Sequence, residues 1–147
     1  MKNPSIGLRA WHEWLSLSRQ TPESWHQYRL MEEQQECHDA DTLLLKLSET
    51  SDVLFSISRA RYDGYDIANL PFIFSYQYFL PYCYMLAKFS SRCMFYKTAA
   101  TLCDAPNAGT VREVVNPAKD EKLDQVAVRH QINPTRFKHV SRQLRRV

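Results

Sequence analysis

Glu32-Glu33-Gln34-Gln35-Glu36, followed after twelve intervening residues by Glu49-Thr50-Ser51-Asp52, concentrates more negative charge than one solvated helix face needs. Glu33/Glu36 and Glu49/Asp52 are each spaced i,i+3, which places both members of a pair on one face of a helix. The two pairs are mirror images about residues 42–43. A helical hairpin folded there would set Glu33 opposite Asp52 and Glu36 opposite Glu49. Carboxylates that converge in this way repel unless a cation compensates them, so the pattern points to a metal site.

The surrounding sequence supports helices on either side. Thr21-Pro22-Glu23 reads as a helix start, with a capping hydroxyl, a proline in the first turn and an acid at the positive end. The helix it opens is expected to run to about His38. His38-Asp39-Ala40-Asp41-Thr42 reads as the turn, with Asp41 or Thr42 capping the next helix. Leu43, Leu47, Thr50, Leu54 and Ile57 recur at steps of 4, 3, 4 and 3, predicting a buried stripe on a helix that ends near Tyr62 and Asp63-Gly64.

Upstream, Leu8, Trp11 and Leu15 predict a first helix over about residues 5–18. Downstream, Pro71 is placed to open a further helical region, and Pro81 to kink or divide it. A long helix is expected over about 82–102, with Tyr82, Met85, Phe89, Met94, Tyr96 and Leu102 as its apolar residues. Residues 104–118 contain Pro106, Asn107, Gly109 and Pro117 and read as a linker. Two short helices, divided at Ile132-Asn133-Pro134, complete the chain.

These elements predict an all-α fold: a four-to-five-helix bundle over residues 1–103, a linker over 104–118 and a short C-terminal helical hairpin over 119–147. The 147 residues include only three glycines against seven prolines, which disfavours a turn-rich all-β fold. The apolar stretch from Ile67 to Phe89 is interrupted by Pro71, Ser75, Gln77 and Pro81, and suits a buried core better than a membrane span. Met1-Lys2-Asn3-Pro4 lacks the apolar run of a signal peptide. Cys37, Cys83, Cys93 and Cys103 form no CxxC pair and read as free buried thiols, giving a cytoplasmic expectation.

Glu32-Glu33-x-x-Glu36, twelve residues, then Glu49-x-x-Asp52 resembles the EExxE…ExxD signature of the MazG-like all-α nucleoside triphosphate pyrophosphohydrolases. The aliphatic run Val53-Leu54-Phe55-Ser56-Ile57 after the last acid resembles that family's third helix, and the likeness spans about residues 5–100. It implies Mg²⁺ (or Mn²⁺) held by Glu33, Glu36, Glu49 and Asp52, with Glu32 as a second-metal ligand or base. It also implies hydrolysis of a nucleoside triphosphate to the monophosphate and pyrophosphate. Lys88 and Arg92, i,i+4 on the long helix, stand where the family binds phosphates. The family's pattern often carries an asparagine on this helix, and none lies between Asn69 and Asn107 here.

Trp11, Trp14 and Trp25 are candidate surfaces for stacking a nucleobase, with core packing the simpler role for each. The aromatic surface suggests a homodimer or homotetramer. The net charge of +3 is unevenly spread, because residues 119–147 hold eight Lys/Arg against three Asp/Glu. Their rhythm resembles a helix-turn-helix, which offers an alternative: a non-catalytic helical adaptor or nucleic-acid-binding protein acting through this basic tail.

Overall fold

Leu8, His12 and Leu15 fall at steps of 4 and 3, so one face of the first helix can be buried while Arg9, Glu13 and Trp14 remain in water. In the computed structural model, which describes residues 6–146, this helix is α1 (Ile6–Leu15). It is followed by α2 (Glu23–Asp39), α3 (Leu43–Tyr62), α4 (Phe79–Leu102), a single 3₁₀ turn at Ala108–Thr110, α5 (Asp120–Arg129) and α6 (Pro134–Leu144). Every regular element among the described residues is helical, so the fold is all-α as expected. No helix among them is long and apolar enough to cross a membrane. The chain gathers into two compact units, residues 1–87 and 88–147.

In the first unit α3 is the common partner, with α2 packed along it as an antiparallel hairpin and α1 against its C-terminal half. Leu8, Leu15, Leu30, Leu54, Ile57 and Ala60 form the dry interior. Thr42 caps α3, its hydroxyl accepting from the Leu45 amide at 3.1 Å. Thr21 does not cap α2. Pro22 occupies the N-cap position after a cis Thr21–Pro22 peptide, and no side chain caps that end. The stripe expected on α3 is buried at Leu54 and Ile57, but Leu43 is 91% exposed. The first turn of α3 lies at the hairpin's tip, where nothing on α2 covers it.

Asp63, at the C-cap of α3, ties the connection between α1 and α2 to the hairpin. Its buried carboxylate accepts from the Gln20 amide at 3.1 Å and lies 3.4 Å from both the Arg59 and His26 side chains. Arg59 in turn donates to the carbonyls of Leu17 and Ser18. A buried carboxylate needs such partners, because leaving its charge uncompensated in the interior costs several kcal/mol on the order of 3–5.

Pro71 opens no helix. The segment after it runs through turns, and its carbonyl accepts a hydrogen bond from the buried Tyr82 hydroxyl. Pro81 neither kinks nor divides α4. It stands in the first turn, where its missing N–H would have had no intrahelical acceptor. Along α4 the buried positions include Tyr82, Met85, Phe89, Cys93, Tyr96, Ala99 and Ala100, whereas Met94 and Leu102 face outward. The cysteines are free, but only Cys93 and Cys103 are buried; Cys37 is half-buried and Cys83 exposed.

The second unit closes around Tyr96, Ala100, Val111, Leu123, Val126, Ile132 and Phe137. Here α5 and α6 form the expected hairpin, and Asn133 caps α6 by accepting from the Arg136 amide at 3.1 Å. Phe137 stacks on Tyr96 with ring centroids 6.2 Å apart.

Candidate metal centre

The hairpin geometry follows from helix lengths and the short Ala40–Thr42 connection. Going back from the turn along α2 and forward along α3, positions about equally distant in sequence meet across the interface. Cys37 Sγ and Thr50 Oγ1 mark that register, 3.4 Å apart. Although adjacent to Glu36, Cys37 thus faces α3 beside the acidic residues.

Glu33, Glu36 and Glu49 come together, each offering a carboxylate oxygen, and those three oxygens all lie within 4.8 Å of one another. Glu33 is buried, Glu49 half-buried and Glu36 exposed, so the group is open to solvent on one side. Burial pushes the Glu33 carboxyl up from its usual 4.5 to about 7. Arg29 pulls it down, and the charges of Asp52, Glu36 and Glu49 push it up in that order. Asp52 thus stands within electrostatic reach of Glu33, on the face expected for it, though it does not supply an oxygen to the tight trio.

Arg29 was not singled out from the sequence. Its guanidinium forks onto two acids, with Nη1 2.8 Å from Glu32 Oε2 and Nη2 2.6 Å from Glu33 Oε1. The i−3 and i−4 spacing of Arg29 from these glutamates was the available signal. Glu32 is therefore engaged by Arg29 beside the trio.

Lys88 and Arg92 fall in the second unit. Both cations lie over the Phe89 ring, at 5.6 and 5.5 Å from its centroid, and Arg92 Nη1 donates to the Val114 carbonyl at 3.3 Å. The tryptophans separate in environment. Trp11 is half-buried, edge-on to Phe55 at 6.0 Å, which is a packing role. Trp14 and Trp25 are 48% and 41% exposed. Trp25 stands edge-on to His26 at 5.0 Å.

In the C-terminal hairpin, five basic side chains, one of them a histidine, lie in ion-pair contacts. Arg129 and His130 hold the buried Glu113, Arg136 pairs with Asp104, Lys138 with Asp124 and Arg142 with Asp120. These contacts fasten the hairpin to its own unit and neutralise part of the basic surface.

With one oxygen from each of three carboxylates within 4.8 Å, Glu33, Glu36 and Glu49 could hold a small hard cation. Oxygen-only donors favour Mg²⁺, Mn²⁺ or Ca²⁺ over softer metals. Comparison with protein-family models, with curated proteins and with solved structures finds no match to this chain.

Proposed function

We propose that the chain is a divalent-cation-dependent nucleoside triphosphate pyrophosphohydrolase, acting in the cytoplasm as a homodimer or homotetramer. The observation that carries this reading is the convergence of Glu33, Glu36 and Glu49 from two helices. The order of acids along the chain, with its resemblance to the MazG-like signature, supplies the reaction. Exposed Trp25, Tyr28 and Met31 on α2 support the oligomer.

In this reading Glu33, Glu36 and Glu49 hold Mg²⁺ or Mn²⁺, with Asp52 adding negative charge alongside. When bound, the cation supplies charge neutralisation for the polyphosphate and acidifies coordinated water. Water adds to the α-phosphorus, the bond to the oxygen bridging the α- and β-phosphates breaks, and a monophosphate and pyrophosphate leave. Arg29 keeps Glu32 and Glu33 oriented. Burial chiefly raises the proton affinity of Glu33, and the neighbouring carboxylates add a smaller repulsion that a cation would relieve.

A panel of canonical and modified nucleoside triphosphates, assayed for pyrophosphate release with Mg²⁺ and then Mn²⁺, tests the reading. At least one should be turned over, and Glu49→Gln or Asp52→Asn should reduce release to background while the protein stays folded. A folded protein that turns over none of them would sink the proposal.

A further inference from the structure

At the other end of α3 a cavity of about 640 Å³ opens between α1 and the C-terminal turns of α3, and it shares no lining side chain with the acidic cluster. Leu8, His12, Arg19, Ser58, Arg61 and Tyr62 are among its walls. Glu49 and Tyr62 are separated by thirteen residues of helix, about 20 Å along the axis.

The polar groups around this cavity are unevenly satisfied. His12 is 1% exposed. Its Nε2 lies 3.0 Å from Ser58 Oγ, and Ser58 donates its own proton to the Phe55 carbonyl at 3.1 Å. With that proton on the Phe55 carbonyl, Ser58 Oγ accepts from Nε2–H, and Nδ1 is left as an acceptor. That Nδ1 is buried and has no hydrogen-bond partner among the described residues. Burial and the neighbouring Arg59 charge hold His12 down at about 3, so the ring is neutral and stays an acceptor at pH 7. Tyr62 stacks against it at 5.3 Å, giving a flat wall.

The charge balance favours an anion. Glu13 is paired with Arg9 at 3.4 Å, and Asp63 with Arg59 at 3.4 Å. Arg19 donates to the Asp63 carbonyl at 2.9 Å and the Tyr65 hydroxyl at 3.4 Å, neither of which is charged. Arg61 reaches the Ala68 carbonyl at 3.2 Å and the well-solvated Asp66 at 3.5 Å, while its Nε is buried without an acceptor among the described residues. Two guanidinium groups thus border the cavity with donors to spare, and a planar fork suits a phosphate or carboxylate.

We propose that this cavity binds a small organic anion bearing a hydroxyl: Arg19 and Arg61 take the phosphate or carboxylate, His12 Nδ1 accepts from the hydroxyl, and Leu8 and Tyr62 pack the body. The inference does not depend on the reading of the acidic cluster.

Calorimetric titration of the full chain in EDTA, which silences any divalent-cation chemistry, tests it with two probes. Ribose 5-phosphate represents hydroxylated phosphates and 4-hydroxybenzoate hydroxylated carboxylates, with benzoate as the comparator lacking the donor. Binding of one probe at micromolar to low-millimolar concentration is expected, weakened at least about tenfold by Arg61→Gln and by the more exposed Arg19→Gln, roughly the value of one charge-assisted hydrogen bond. The His12 Nδ1 resonance should shift on binding, and Glu49→Gln should bind like the parent. Failure of both probes at 10-fold excess over about 1 mM, or binding indifferent to both arginine substitutions, would overturn the proposal.

Discussion

Glu33 and His12 are both buried titratable groups of the first unit, and their titrations act on stability in opposite directions. Glu33 holds its proton more tightly folded than unfolded, so between pH 4.5 and about 7 the folded state binds more protons and stability falls as pH rises. His12 is displaced down to about 3, so between pH 3 and 6.5 the unfolded state binds more protons and stability rises with pH. From 4.5 to 6.5 the two slopes oppose each other. Glu33→Gln, measured by urea unfolding in EDTA, should therefore give a steeper climb in stability with pH than the parent. Its stability relative to the parent should grow by roughly 2–3 kcal/mol from pH 4.5 to 7.5, at about 1.4 kcal/mol per tenfold change in proton affinity. An unchanged difference across that range would show that Glu33 titrates normally. The acids behind this behaviour were legible in the sequence because helical spacing and mirror symmetry need no tertiary information. His12 was not, since nothing local announces that Ser58, 46 residues away, would take its Nε2.

Just beyond the His130 C-cap of α5, Gln131 has a φ of +59° in the left-handed region, and the Ile132 amide closes the helix end by donating to the Ala127 carbonyl at 2.9 Å. A side chain in that conformation costs about 1 kcal/mol relative to glycine. Gln131 is exposed, so Gln131→Gly removes the strain without opening a hole. Thermal unfolding should show a gain of about 0.5–1 kcal/mol, and a loss would mean that the glutamine side chain makes a contact outweighing the strain. The existence of all six helices followed from apolar spacing and from Pro134 and Gly64 as punctuation. Their starts were harder to read. Thr42 caps as its position suggests, but Thr21, with the same chemistry, is displaced by the proline that follows it. Pro71 looked like a helix opener by the same rule that works at Pro134, where Asn133 supplies the cap that the Pro71 segment lacks.

Residues 88–147 make a unit with its own dry interior, centred on the fully buried Phe137. Phe137→Ala should cost about 3–5 kcal/mol, because Tyr96, Leu123 and Val126 cannot collapse far enough to fill the space. Hydrogen exchange would report it as lost protection of the α5 and α6 amides, and retained protection there would contradict the assignment of Phe137 to that core. The tail's charge was plain from its residues, but not its disposition, since +5 over 119–147 counts residues and ignores partners. Asp104 and Glu113 lie in the stretch read as linker and pair with Arg136 and Arg129 across the fold. Ion pairs between distant segments have no local signature, whereas i,i+4 pairs such as Arg29–Glu33 do.

Arg29 has one more consequence. Its guanidinium already contributes one positive charge to the carboxylates of α2, with its fork closed on Glu32 and Glu33. A monovalent ion arriving at the trio would offer no more charge than the residue it competes with, and would have to give up hydration as well. A doubly charged ion would double the attraction and could keep much of its hydration shell, as Mg²⁺ does when it binds through one or two carboxylates. In the proposed metal site, Arg29 would therefore tilt the choice of ion toward a doubly charged one.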